Sequence, residues 1–463
     1  MTEINGTEME KCTALEPCAT TFHAPEKPKG GTSSCEFSDP AFYNNKSQHI
    51  HRWAPWIAGF SKDFVRDSIG RFIPCGGVVL DPFAGVGTTL VESMLTGNDS
   101  FGFEINPYAH FVSETKTRAV FVDVEAFGKE IRRFEAFFAS CAASDYEAKS
   151  TVPEGFRSKV EFYSPNVLKK VLALHDFICQ IEQGDVTAMF RLAFSSTMVR
   201  YSNYSYEPSL GTRKGSGKED ISDFDVGGLT VMKLKECLED IEWAQKEMGG
   251  KPIPRSEVIH DSFFNYASHI EEGSIDLIVT SPPYLNNYHY NRNTRPQMYW
   301  LGFVSSPAEM KGLEESNFGT YWQTARDKDR VDLAFKPECS DIEERLDEIR
   351  SMNPEKGTYG GKGWANYAAS YFNDCYRLSQ GIGHSLRSGS TALVVIGNSI
   401  VQGVHVPTDA YFAQIADLVG LETVRIHVPR ETRVGNSIKD SGLRSKSKEK
   451  KNLYEAIVEV RKK

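Results

Sequence analysis

Long apolar runs are absent. No stretch of the 463 residues approaches the roughly 18 consecutive apolar positions needed to cross a bilayer, so no membrane partner is expected. The opening MTEINGTEMEKC also lacks the basic-then-apolar pattern of a secretory signal, and the expected compartment is the cytoplasm. The nine cysteines are odd in number and scattered, with no C-x-x-C, which suits free thiols better than a disulfide framework. Cys12, Cys18, His23 and Cys35 match no common zinc spacing and read as small residues of a tail, so no metal is expected. A basic excess is missing too. The 53 Lys and Arg stand against 62 Asp and Glu, a net charge of −9, which excludes a histone-like coat on nucleic acid but not a local basic surface. Residues 425–463 hold 12 Lys/Arg against 5 Asp/Glu, so the remainder of the chain carries −16. With 40% hydrophobic and 25% charged residues the composition is globular, which sets aside collagenous and wholly disordered classes. At roughly 150 residues per domain the length allows two to four domains.

Local patterns organise the chain. Residues 1–45, rich in Thr, Ser, Pro, Gly and Lys and without periodicity, read as a disordered arm. Apolar residues at Phe60, Phe64, Val65, Ile69 and Phe72 have helical spacing. A short apolar run, Val78-Val79-Leu80, then ends in Asp81; a glycine loop, a helix at 89–95 and a second strand at 100–104 follow. This β-loop-α-β unit starts a doubly wound α/β sheet. Helical periodicity dominates 124–142, 165–182 and 226–248, with a Gly- and charge-rich loop at 211–228. Strands are expected at 257–259, 275–280, 392–396, 423–428 and 456–460, helices at 367–386 and 409–419, and an irregular charged stretch at 291–363. No internal repeat is present. The simplest architecture is one mainly parallel sheet interrupted by a helical and an irregular insertion.

Two short motifs carry chemistry. The first is Asp81-Pro82-Phe83-Ala84-Gly85-Val86-Gly87-Thr88-Thr89. Glycines two residues apart let the backbone turn tightly after a strand and approach a ligand. Glu104 ends the next strand, where a carboxylate can accept hydrogen bonds from the vicinal hydroxyls of a ribose. Together they point to an adenosine-containing cofactor. The loop has no Lys-Ser/Thr, which excludes a P-loop, and Leu90 stands where the dinucleotide fingerprint needs Gly or Ala. A cofactor without phosphates remains. The second motif is Thr280-Ser281-Pro282-Pro283-Tyr284 at the end of strand 275–279. Two prolines fix φ at consecutive positions and remove two donors, so a hydroxyl, carbonyl acceptors and an aromatic ring are held stiffly at the carboxyl edge of the sheet.

DPFAGVGTT followed by TSPPY resembles the S-adenosylmethionine-dependent amino-methyltransferases of DNA, which methylate cytosine N4 or adenine N6. The resemblance covers the sheet-forming segments, about half the chain, and implies a class I methyltransferase fold, Rossmann-like and doubly wound. It implies a cofactor site at Asp81, Phe83, Ala84, Gly85, Gly87, Thr88, Thr89 and Asn106, with Glu104 at the ribose. It further implies Asp261, Ser262 and Phe263 at the adenine, segment 56–64 at the methionine part, and Ser281, Pro282, Pro283 and Tyr284 as the catalytic corner. Ser281 at the first position, rather than Asp or Asn, resembles the cytosine-N4 branch; adenine N6 in DNA and guanine N2 in RNA are the alternatives. The implied domains are 46–120 for cofactor binding, 121–250 as a helical insertion for target recognition, and 251–290 with the catalytic loop. An irregular insertion at 291–365 for DNA contact and a C-terminal core with a basic tail at 366–463 complete them. The implied partners are double-stranded DNA and a cognate restriction endonuclease.

A base in a duplex must be flipped out to reach such a corner. Ser281 Oγ and the Pro282 carbonyl then accept from its amine, and Tyr284 stacks on the ring. Tyr288 and Arg292, beside the corner, are candidate contacts to the base and its phosphates. Tyr204 and Arg213, in a run of aromatics before the glycine-rich loop, are candidate DNA readers; the alternative is a helix end with exposed tyrosines. Arg430, Arg433, Lys439 and Arg444 either grip phosphates or belong to a solvated tail. Asn398, after ALVVIG, reads as a strand-turn residue rather than a pocket residue, and His49 and His51 receive no role.

Overall fold

The computed structural model describes residues 37–40, 42–54, 56, 59–206, 209–337, 340–431 and 453–463. The elements run in chain order as α1 (Lys62–Phe72), β1 (Val78–Asp81), α2 (Thr88–Leu95), β2 (Asp99–Phe103) and α3 (Pro107–Thr117). A helical block follows, α4 (Val124–Ala142), α5 (Pro165–Ile178) and α6 (Gly184–Thr197), then a small hairpin of β3 (Tyr204–Tyr206) and β4 (Leu210–Thr212), and α7 (Val226–Met248). Next come β5 (Ser256–Ile259), β6 (Ile275–Thr280), α8 (Tyr290–Trp300), α9 (Pro307–Glu315), α10 (Trp322–Ala325), α11 (Ile342–Ser351) and α12 (Gly361–Ser385). The chain ends with β7 (Leu386–Gly397), a hairpin of β8 (Ser399–Val401) and β9 (Val404–Val406), α13 (Thr408–Leu418), β10 (Leu421–Glu431) and β11 (Tyr454–Lys462).

Seven strands form the central sheet in the order β10-β11-β7-β6-β1-β2-β5. All neighbours are parallel except β11, which runs against both β7 and β10. The order turns back between β1 and β6, the switch point at whose carboxyl edge open α/β sheets bind ligands. Strand residues alternate between faces. Leu80, Ile278, Val394 and Val458 pack with α12 and α13, whereas Val79, Leu277, Leu393 and Ile457 pack with Phe64, Val65 and Ile69 of α1. A third core joins α2 and α3 to α4–α8 around Phe127, Phe134, Phe177 and Phe190. Each such phenylalanine contributes about 2–3 kcal/mol through the apolar surface it removes from water. Caps fix the helix starts: Ser61 Oγ accepts from Phe64 N at 3.1 Å and Asp123 Oδ1 from Ala126 N at 3.0 Å.

Several expectations need correction. Part of the arm expected at 1–45 is built into the fold, because Phe37 packs edge-on against Phe64 and Asn45, fully buried, donates to Phe60 O at 3.1 Å. Cys12, Cys18, His23 and Cys35 lie outside the described residues. The stretch at 291–365, expected to be irregular, carries α8 to α11. Asn, Thr and Pro296 give α8 poor helix propensity, and burial of Asn293, Thr294 and Pro296 through Trp300 holds it instead. Helix α6 was not among the expected helices, although Val186, Met189, Phe190, Ala193 and Phe194 have helical spacing. At the basic end, the strand expected at 456–460 is β11 and lies between β7 and β10, Arg430 sits in β10, and Arg433, Lys439 and Arg444 lie outside the described residues. His51 is 2% exposed and bonds Glu92 Oε1 at 2.8 Å, a structural role.

Candidate active site

The glycine loop leaves β1 at Asp81. Gly85 and Gly87 take left-handed φ of 53° and 82°, which side chains rarely adopt. A Cβ at Gly87 would stand 2.5 Å from Ser113 Oγ, so this glycine lets α2 approach α3. A Cβ at Gly85 would stand 3.3 Å from Trp56 Nε1. Glu104 locks the loop: Oε2 accepts from Gly85 N at 2.9 Å and Oε1 from Asn106 N at 2.7 Å. Its remaining lone pairs are available to a ligand in the cavity that it lines. Desolvation raises its carboxyl to about 7, against the backbone N–H groups that favour its charge. Asp81 is used differently. It is 1% exposed and accepts from Phe83 N at 3.0 Å, Thr89 Oγ1 at 2.7 Å and Thr280 Oγ1 at 2.7 Å. Burial raises it to about 6. Asp81 thus bolts the glycine loop to the residue before the serine-proline corner.

Ser281, Pro282, Pro283 and Tyr284 line the same cavity as Phe83, Gly85, Glu104, Asn106, Asp261, Ser262 and Phe263, a space of about 520 Å³. The sequence separates the two motifs by almost 200 residues, and the parallel pairing of β1 with β6 brings them together. Tyr284 Oη donates to Glu455 Oε1 at 3.4 Å, and its ring lies beside Gly397, where a Cβ would be 3.4 Å from Cε2. Asp261 Oδ2 pairs with His269 Nε2 at 2.9 Å and Oδ1 accepts from Asn265 Nδ2 at 2.8 Å; despite the burial that opposes it, these bonds hold its carboxyl below the ordinary value. Among the described residues the cavity wall holds three carboxylates, Glu104, Asp261 and Glu455, and no Lys, Arg or His.

The family described as DNA methylase, comprising N6- and N4-methyltransferases, matches residues 21–114. The chain is 24% identical to the type II methyltransferase M.BsoBI of Geobacillus stearothermophilus over 87% of its own length and 84% of that protein. It is 23% identical to M.AvaI of a Nostoc species over 89% and 87% of the two chains, and 24% identical to M.MvaI of Kocuria varians over 56% and 59%. The chain resembles the N4/N6-type DNA amino-methyltransferases. Its sheet is the Rossmann-like class I methyltransferase architecture, and its methyl donor is S-adenosylmethionine. The cavity fits that donor. Glu104 offers acceptors to a ribose, Trp56, Phe83 and Phe264 offer apolar ring surface to an adenine, and a wall that among the described residues holds carboxylates and no cation suits a sulfonium and not a phosphate.

The methyltransferase does not use every residue of the expected site in the same way. Asp81, Ala84, Gly87, Thr88 and Thr89 are buried behind the loop and do not line the cavity. Asn106 lines it but has no free polar atom: Oδ1 caps α3 through Tyr108 N and Ala109 N, and Nδ2 donates to Asn291 Oδ1 and Thr294 Oγ1. Phe263 is 2% exposed and packs edge-on against Phe103. In segment 56–64, Trp56 reaches the cavity. Tyr288 lines it, its Oη accepting from Asn293 Nδ2 at 2.6 Å, whereas Arg292 is exposed on α8. Tyr204, in β3, and Arg213, just after β4, sit away from the cavity, and a hairpin stands where the alternative reading had a helix end with exposed tyrosines. Tyr204 Oη accepts from Lys159 N at 2.9 Å and Arg213 Nε donates to Glu219 O at 2.7 Å. Sequence reasoning missed Phe318, Trp364 and Glu455, and set Asn398 aside; these four line the cavity, as does Asn291 from the polar run after the corner. Of the four, only Asn398, following a core strand and glycine, left a signal.

Proposed function

We propose that the methyltransferase transfers a methyl group to the exocyclic N4 of a flipped cytosine in duplex DNA, as the modification enzyme of a type II restriction-modification system with a cognate endonuclease in the same cytoplasm. The observation that carries the reading is the meeting of Ser281–Tyr284 with Glu104 in one cavity. Bound S-adenosylmethionine supplies an already activated methyl, so the chain's task is positioning. Glu104 holds the ribose, and the aromatic wall holds the adenine. The target amine is a poor nucleophile because its lone pair is delocalised into the base. Ser281 Oγ and the Pro282 carbonyl accept its N–H groups and draw the nitrogen toward tetrahedral geometry. The prolines make those acceptors rigid, so little reorganisation is needed as charge develops. Tyr284 stacks on the flipped base, which requires its ring to leave the Glu455 contact. Ser281 acts as acceptor and not as base, since the methylated nitrogen is acidic and can lose its proton to water.

Support for cytosine comes from Ser281 at the first position of the corner, and support for a type II system from the names of the relatives. Single-molecule sequencing of DNA, with nucleoside analysis of RNA, from cells expressing the chain tests the target base and its context. The expected result is N4-methylcytosine at one sequence context. N6-methyladenine alone would move the target to the other branch, and methylation confined to RNA would overturn the DNA reading.

A further inference from the structure

Asn291, the second residue of α8, forms part of the cavity wall and is 1% exposed. Its neighbours fix which way its amide points. Asn106 Oδ1 accepts from the helix N–H groups of Tyr108 at 3.0 Å and Ala109 at 3.2 Å, so that atom must be oxygen. The other end of the Asn106 amide is therefore nitrogen, and both of its protons are spent, on Asn291 Oδ1 and Thr294 Oγ1, each at 2.9 Å. The Asn291 atom facing Asn106 must in turn be oxygen. Its Nδ2 is then left as a buried donor with no acceptor. Such a donor is costly unless something supplies an acceptor. The cost falls at an informative place, because Asn106 N also bonds Glu104 Oε1 at 2.7 Å, so one residue separates the Asn291 amide from the Glu104 carboxylate.

We propose that Asn291 Nδ2 donates to a ribose hydroxyl oxygen of the cofactor, so that Glu104 and Asn291 read the diol as an acceptor and a donor. A ribose hydroxyl has one proton to give and lone pairs to receive. A carboxylate alone reads only the proton; a carboxylate with a fixed N–H beside it reads both and orients the sugar. The inference rests on the cofactor occupying this cavity through Glu104, and it adds a binding residue from the far side of the chain. It also gives Asn106 a function without ligand contact: it relays the polarity of the α3 N-terminus to Asn291.

The test is calorimetric binding of S-adenosylhomocysteine and its 2′-deoxy and 3′-deoxy forms to the full chain. Asn291→Asp retains the acceptor for Asn106 and replaces the donor with a second acceptor. The wild-type chain is expected to prefer the parent ligand over at least one deoxy form by about tenfold or more. Asn291→Asp should weaken the parent by a similar factor and shrink that preference to within about threefold. Asn291→Ala removes the donor without adding charge and should shrink the preference in the same way, which separates hydrogen bonding from charge repulsion. Thermal melting without ligand identifies a variant that has not folded, in which case the other variant decides. Equal loss of affinity for all three ligands, or no loss, overturns the proposal. A wild-type chain that binds none of the three overturns the underlying reading of the cavity instead.

Discussion

Asp81 closes β1, and Glu104 stands just past the end of the neighbouring β2, yet the two carboxylates serve different ends. Asp81 is enclosed, and its lone pairs are taken by Phe83 N, Thr89 and Thr280. Glu104 is held by two N–H groups of nearby backbone and opens onto the cavity. Both lie above the ordinary carboxylate range, at about 6 and about 7, and desolvation is the first cause in each. A perturbed carboxyl in a cofactor loop is therefore not by itself a ligand contact. What separates the roles is whether the carboxyl opens onto the cavity.

The largest expected effect lies on the other side of the Asp81 bolt. Ser281→Ala should lower single-turnover methyl transfer by about 10²–10³-fold while leaving S-adenosylmethionine affinity within about twofold, because Ser281 acts on the developing charge and not on the cofactor. A parallel loss of affinity would merge the two ends of the cavity that the account keeps apart. Glu104→Ala should do the reverse, weakening cofactor binding by roughly 10–100-fold in calorimetry with little change in melting temperature. Its raised carboxyl gives a pH signature. The ionised form accepts the hydroxyls, so affinity should fall as pH drops below about 7, by roughly tenfold between pH 8 and pH 6, and Glu104→Gln should flatten the profile.

Asp81 should behave as a stability residue. Asp81→Ala leaves two buried hydroxyls without their acceptor and is expected to cost about 1–3 kcal/mol in urea unfolding. The sign of its pH dependence is also set. The folded value of about 6 lies above the ordinary 3.8, so the native state holds a proton that the unfolded chain releases between those values. That contribution is full below about 3.8 and lost as pH rises through about 6; Asp81→Asn should remove the dependence. The smallest effect is expected at Gly397. An added Cβ would lie 3.1 Å from Tyr454 O and 3.4 Å from the Tyr284 ring, so Gly397→Ala should slow transfer by about threefold without changing cofactor affinity.

Much of the sheet and both motifs were legible because backbone constraints wrote them. Paired glycines after Val78–Asp81 and paired prolines after Ile275–Thr280 restrict conformation whatever surrounds them. Glu104 was legible from its place after the second strand. The division of labour within the glycine loop was not, since only the folded structure reveals that Thr89 and Thr280 meet at Asp81. The assembly of the far wall was equally hidden. Asn291, Trp364, Asn398 and Glu455 come from separate elements, and the order of β6, β7 and β11 brings the last two to Tyr284. Helix α8 escaped notice because tertiary burial, and not intrinsic propensity, holds Tyr290–Trp300 helical, whereas Ile342, Leu346 and Ile349 of α11 carried a helical spacing within good helix formers that was passed over.

The central claim is that the serine-proline corner and the glycine loop are two sides of one methyl-transfer site. It is tested most directly by incubating duplex DNA with the chain and methyl-labelled S-adenosylmethionine, then digesting to nucleosides and following the label. The account predicts label in N4-methylcytosine with the wild-type chain and none with Ser281→Ala. Unlabelled DNA with a wild-type chain that has bound the donor would contradict it.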